Sequence, residues 1–252
     1  CIIFFNLMVN INENTKMIKN QNHLGGICMI LSVLFFSLMD VLIKVTHEYD
    51  VGQVMFCRAI FGLIPIFFLI PKNKIKNFYK TKYKALHWWR ASIGSIAMYA
   101  IFVGLRNLEL AEVTSLAFSG PIWVVIFSIL FLGEKVRMKR WIAVGLGFVG
   151  VLIISKPGFD NLNLYYIYPI IFTLGFAGVS IFIRKLTLVG EPVYLIAFYF
   201  SICSAIFGLF TLPFGGWSIP TSYDLGLLIL IGLFGSTANL LLTKSYQLAE
   251  VS

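Results

Sequence analysis

The sequence predicts an all-α, polytopic membrane helix bundle with about eight transmembrane helices, and three observations predict it. Of its 252 residues 59% are hydrophobic and 12% charged, with a mean hydropathy of +0.88. A soluble domain carries roughly 25% charged residues, and a chain this apolar would expose large greasy patches to water. The apolar residues also fall into eight stretches: 24–45, 53–70, 86–105, 110–132, 141–155, 164–183, 192–214 and 225–242. Most approach the about 20 residues that a bilayer crossing needs. Finally, the charges gather between the stretches. Lipid offers no partner to a backbone amide, so each stretch reads as a helix, and the alternating segments of a β-barrel are absent.

Residues 1–23 form an N-terminal lead-in. Its apolar part, 1–11, is too short to span and lacks the basic start and small-residue cleavage site of a signal peptide. Met17, followed by Ile18, Lys19 and Asn20, reads as the natural start. Span 1 (24–45) ends with Asp40 and Lys44, and span 2 (53–70) carries Arg58 and Pro65. The connection 72–90 mixes lysines with aromatics. Nucleic-acid binding is one use of such a mixture. However, Ile75, Phe78, Tyr79, Tyr83 and Leu86 follow helical spacing, which predicts an interfacial amphipathic helix leading into span 3 (86–105).

Span 4 (110–132) has Glu112 in its first turn, where it suits the helix dipole, and Pro121 in its middle. Glu134 follows among Lys135, Arg137, Lys139 and Arg140, an ion-pair cluster at an interface. Span 5 (141–155) is short and borrows flanking residues. Its Gly145-Leu146-Gly147-Phe148-Val149-Gly150 spells a dinucleotide fingerprint. No strand precedes it, so close helix packing by small residues is the reading. Spans 6 (164–183, with Pro169), 7 (192–214) and 8 (225–242) complete the set.

The net charge of +9 is localised between spans. Sixteen Lys and Arg fall on the side that holds the N-terminus, including the seven of 72–90. Three, Lys44, Arg106 and Lys156, fall on the other. The positive-inside rule makes the first side, and so the N-terminus, cytoplasmic in a cell (inner) membrane. Cys1, Cys28, Cys57 and Cys203 are scattered without a CxxC pair, which disfavours a disulfide framework or zinc. His23, His47 and His87 lie near span ends, with no metal spacing and no Ser/His/Asp set. The sequence therefore predicts no enzyme, no metal and no cofactor.

An internal repeat organises the spans. Leu110-Ala111-Glu112-Val113-Thr114 recurs as Leu248-Ala249-Glu250-Val251-Ser252, an offset of 138 that also aligns Arg106 with Lys244. At an offset of 140, Lys44 aligns with Arg184 and Asp40 with Ser180. Five spans per copy is an odd number, so the second copy enters the membrane from the opposite face, an architecture that supports alternating access.

These features together resemble the drug/metabolite transporter superfamily, and within it the EamA-type carriers of ten helices. The matching residues are Asp40-Val41-Leu42-Ile43-Lys44, Arg58, Leu110-Ala111-Glu112-Val113-Thr114 with Pro121, Gly133-Glu134-Lys135, and Lys156-Pro157 closing the glycine-rich span 5. Within the family the chain is similar to S-adenosylmethionine uptake carriers of intracellular bacteria. The resemblance implies a 5+5 inverted-repeat fold: residues 24–156 as the first repeat, and 162–252 as the second, ending after its third helix. Two helices of the ten-helix pattern are then missing.

Asp40 and Arg58 are the sharpest functional candidates, because a charge inside a span is costly and faces a cavity or a partner. With Lys44, four residues beyond Asp40, they form either a gating ion pair or a substrate site. Ser95, Tyr99, Ser119, Ser180, Tyr199 and Asn239 are the further cavity candidates, beside Ser92 and Thr243. Ser92, Ser95 and Tyr99 share one helical face. In membranes such residues also serve simply as hydrogen bonds between helices. The function expected is a secondary transporter of a small polar metabolite, S-adenosylmethionine or an amino-acid-like compound on the strength of the resemblance. A non-transporting truncated remnant or scaffold and an intramembrane enzyme are the rival readings. The expected partners are the metabolite, the lipid bilayer and, at most, a second copy in a homodimer; nucleic acid is not among them.

Overall fold

The computed structural model describes residues 2–133, 138–155 and 164–248, and these are helical with no strand among them. Seven of its helical segments are long and apolar enough to cross a membrane: His23–Val45, Val51–Phe68, Lys84–Asn107, Leu110–Phe131, Leu164–Leu188, Val193–Phe210 and Ser222–Leu248. The sequence predicted eight. The expected span 5 is a helix, Met138–Ser155, several of whose side chains lie outside the described residues.

α1 runs unbroken from Ile2 to Val45, and only its part from His23 has the composition of a span. The second span is two helices, α2 (Val51–Phe61) and α3 (Leu63–Phe68). Pro65 has no amide to give the carbonyl four residues back, Phe61, and the ladder parts there, at Gly62. α4 (Lys84–Asn107) is the most buried span. The fourth span is also divided, into α5 (Leu110–Ala117), α6 (Gly120–Phe127) and a π-helical turn, Ser128–Leu132, that ends on Gly133 with φ of 66°. Pro121 opposes the carbonyl of Ala117 and causes the first break. α7 is Met138–Ser155, α8 Ile167–Leu188, α9 Val193–Phe210 and α10 Ser222–Leu248.

The expected amphipathic helix between the second and third spans is corrected. Lys72–Asn77 is a short 3₁₀ helix, and 78–83 is irregular up to the start of α4. Phe78 packs against Phe67 and, at 4.8 Å, against Phe198, while the carbonyl of Tyr79 accepts from Tyr199. These contacts engage the backbone and rings that a helix would have turned outward. Glu134, Lys135 and Arg137, the link around Lys156 and Pro157, and Ala249 to Ser252 lie outside the described residues.

Packing is interleaved. α1 lies along α10, α2 along α9, and α4 along α8. Small residues permit it. A Cβ at Gly208 would come within 2.7 Å of the carbonyl oxygen of Gly52, and one at Gly175 within 2.7 Å of the Ala97 side chain. Large apolar side chains such as Ile30, Leu34, Phe68, Leu130 and Phe210 are exposed, as a lipid-facing surface requires.

Candidate functional site: a charged cavity between the helices

A cavity of about 310 Å³ lies where α1, α2, α4, α5, α6, α8, α9 and α10 converge. Its walls are apolar and aromatic, with Phe36, Phe118, Phe172 and Phe176 among them. Its charged lining comes from α1, α2 and α4: Asp40, Arg58 and Arg90, joined by Asn239 of α10.

Arg58 is buried and donates from Nη2 to the carbonyl of Gly235 at 3.3 Å and from Nε to the sulfur of Met39 at 3.3 Å. Gly235 is needed for this fit, since a Cβ there would lie 2.6 Å from Arg58 Nε. Arg90 is 1% exposed and donates from Nη2 to Asn239 Oδ1 at 2.8 Å. Its Nε and Nη1 are buried without a partner. Both guanidinium groups approach the ring of Phe200, with Arg90 Cζ 4.2 Å and Arg58 Cζ 5.5 Å from its centroid. Gly94 makes room for that ring, which a Cβ would approach to 3.0 Å. Cations over an aromatic face are stabilised, and more so when desolvated.

Asp40 is half-buried on the same cavity. No described residue donates a hydrogen bond to it, and no described cation comes within 4.0 Å of it. The direct Asp40–Arg58 pair that one sequence reading expected is therefore not formed. Nor does Lys44 pair with Asp40: its ammonium donates to the carbonyls of Leu105 and Leu108 at 2.8 and 2.7 Å, capping the end of α4.

The other candidates scatter. Ser95 bonds to Ser204 of α9 at 2.9 Å, and Ser92 faces Cys203 at 3.8 Å, so that face of α4 meets a helix. Tyr99 on the same helix is 38% exposed and does not line the cavity. Ser119 donates to the carbonyl of Leu116 at the α5–α6 break. Ser180 donates to the carbonyl of Phe176 and lies 3.0 Å from the hydroxyl of Tyr246, joining α8 to α10. Tyr199 stacks on His87 at 4.7 Å. Thr243 donates to the carbonyl of Asn239. Glu112 accepts from the Tyr166 hydroxyl at 2.7 Å. The cavity thus unites Asp40, Arg58 and Asn239 and leaves out Ser95, Tyr99, Ser119, Ser180 and Tyr199.

Sequence reasoning missed Arg90 and Phe200. Arg90 closes a run of lysines, and by sequence it belongs to the cytoplasmic side. Yet it lies inside the apolar stretch 86–105, and Gly94, Ala97, Ile101 and Leu105 follow it on one face. A charge at the head of one face of an apolar stretch was the available signal.

Residues 23–156 match the EamA-like transporter family. The S-adenosylmethionine uptake transporter of Rickettsia prowazekii is 27% identical over 237 residues, which cover 92% of this chain and 79% of that protein. The riboflavin transporter of Rhizobium johnstonii is 25% identical over 251 residues, covering 97% and 82%. The pseudopaline exporter of Pseudomonas aeruginosa is 25% identical over 227 residues, covering 88% and 78%. A solved crystal structure, 14% identical, superposes with a TM-score of 0.62 over 91% of this chain and 79% of that one, and so shares the fold. With the family matched over more than half its length and multiple helices of membrane-spanning character, this chain is a multi-pass membrane protein that belongs to the EamA-like transporter family and transports small metabolites.

Proposed function

We propose that the chain is a secondary carrier working by alternating access, with the central cavity as its substrate site and its N-terminus in the cytoplasm. The observation that carries this is the cavity itself: buried Arg58 and Arg90 and half-buried Asp40 converge on a space walled by helices from both halves of the chain. Ionisable groups within a membrane mark substrate paths, and Asp40 and Arg58 line the cavity without a contact within 4.0 Å of each other.

Two features support paired inverted repeats. If α1, α2 and α4 correspond to α8, α9 and α10, a two-fold exchange turns the α1–α10 contact into α8–α4, and returns α2–α9 to itself. All three contacts exist. The second feature is a pair of matching caps. Lys44 donates to the carbonyl of Leu108, and Arg184 donates from Nη1 to the carbonyl of Tyr246 at 2.8 Å. Leu108 and Tyr246 are 138 apart, as are the two five-residue copies. Such repeats give a carrier two conformations of similar energy by exchanging the shapes of its halves.

S-adenosylmethionine and riboflavin, named for two relatives, are the first cargoes to test. Reconstituted into liposomes, the chain should take up a labelled member of such a panel, and Asp40→Asn or Arg58→Gln should lower uptake at least about tenfold at equal incorporation. Normal uptake by both variants would remove the cavity from the mechanism.

A further inference from the structure

The charges on the cavity do not balance. Two guanidinium groups face it against a single carboxylate, and Asp40 lies beyond 4.0 Å of both. Arg90 keeps Nε and Nη1 unpartnered although it is 1% exposed. The oxygen of Asn239 is already used by Nη2 of Arg90. Buried donors without acceptors are rare, and a buried guanidinium without a counter-ion is rarer. The vacant donors are charged N–H groups on opposite edges of the guanidinium, and each offers a charge-assisted hydrogen bond to an anionic acceptor.

Resting on the cavity being the substrate site, we propose that it selects a carboxylate-bearing metabolite with a flat apolar body. The carboxylate accepts from a vacant N–H of Arg90, with Arg58 lining the same cavity. The flat body packs among Phe118, Phe172 and Phe176, which line the same space. One carboxylate supplies the one negative charge that the lining lacks. A phosphate monoester brings about two and overshoots, and a cationic head adds to the excess.

The test uses the purified chain in neutral detergent and three probes with one body: indole-3-acetate, indole-3-acetamide and tryptamine. Binding by titration calorimetry should favour the acid over the amide by about tenfold or more, with the amine weakest. Arg90→Gln should erase the preference. Asn239→Asp, an isosteric change, guards against a folding artefact: it sets a carboxylate beside Arg90 and should also erase the preference while the protein stays folded. Equal binding of acid and amide to the native chain overturns the proposal, as does a preference that survives both variants, or no binding of any probe. Displacement of the acid by phosphatidylglycerol in the micelle overturns it too, since the anion would then be the membrane's own. Ala117→Trp separates this from the underlying site. If acid and amide bind equally and both are lost on filling the cavity, only the carboxylate rule falls; if binding persists there, the cavity is not the site.

Discussion

At the scale of the residue, the deciding question for each polar side chain in a span is whether a neighbour satisfies it. Ser95, Ser180 and Thr243 find a hydroxyl or carbonyl on an adjacent turn or helix and become packing. Asp40 accepts no hydrogen bond from a described residue, Arg90 keeps two donors vacant, and both remain on the cavity with Arg58. Spacing in the sequence shows which residues share a helical face, but not whether that face meets a helix or a space. This is why Asp40 and Arg58 were legible, the serines were misplaced and Arg90 was absorbed into a basic run. Two glycines test the same distinction. A Cβ at Gly235 meets side-chain atoms, Arg58 Nε at 2.6 Å and Met39 Sδ at 2.7 Å. A Cβ at Gly208 meets backbone, the Gly52 oxygen at 2.7 Å and the Phe56 nitrogen at 2.9 Å. Side chains swing and packed helices do not. Gly208→Ala should therefore destabilise the protein by about 1–3 kcal/mol, seen as a lower melting temperature in detergent. Gly235→Ala should melt close to the native chain yet bind substrate several-fold more weakly, because Arg58 is displaced. The reverse ranking in melting experiments would show that the cavity arginine, not the α2–α9 contact, is the tighter site.

At the scale of the element, the apolar stretches announced seven of the helices well, since hydrophobic length is a direct consequence of bilayer thickness. Their interruptions were harder to read, because a proline has different effects at different depths in a helix. Pro169 is the third residue of α8, where an amide has no partner within the helix in any case, and its ring packs on Gly104 at the equivalent of a 3.2 Å Cβ contact. Pro121 stands four residues after Ala117 and divides α5 from α6. Phe118 and Pro121, on either side of that break, both line the cavity. Pro121→Ala restores an amide to the ladder and removes a penalty of about 3 kcal/mol that a continuous helix would carry. The two helices should then join. Melting temperature should hold or rise, whereas uptake should fall as Phe118 leaves the wall. Pro169→Ala should change uptake little. Equal transport by the native chain and Pro121→Ala would make the break a passive feature of the fold.

At the scale of the whole molecule, the two ends of the bundle are tied by different chemistry. One end joins Tyr49 to Asp224 at 2.7 Å and Gln53 to the carbonyl of Ser218 at 2.6 Å, beside the Lys44 cap. The other joins Thr81 to Glu191 at 2.6 Å and Glu191 to His87 at 3.3 Å, beside the lysines of 72–84. Moving Arg90 from the basic side into the cavity leaves the charge asymmetry standing, because the lysine run itself remains at the second end. The positive-inside rule then places the Glu191 end in the cytoplasm and the Tyr49 end outside. Ile219, 96% exposed beside Ser218, and exposed Lys76 in the lysine run report on the two ends. In a chain whose native cysteines are replaced by serine, Ile219→Cys should react in intact cells with a membrane-impermeant maleimide, and Lys76→Cys should react only after lysis. The opposite pattern would invert the molecule. The paired caps extend the same test, since Lys44 and Arg184 then seal helix ends at opposite faces. Removing either, as Lys44→Met or Arg184→Met, strips a charge-assisted bond and should cost about 1.5–3 kcal/mol. Because the two share no partner, the double variant should lose the sum within about 0.5 kcal/mol. A strongly non-additive double variant would mean that the caps act on one shared element, contrary to two copies of one motif working at separate faces.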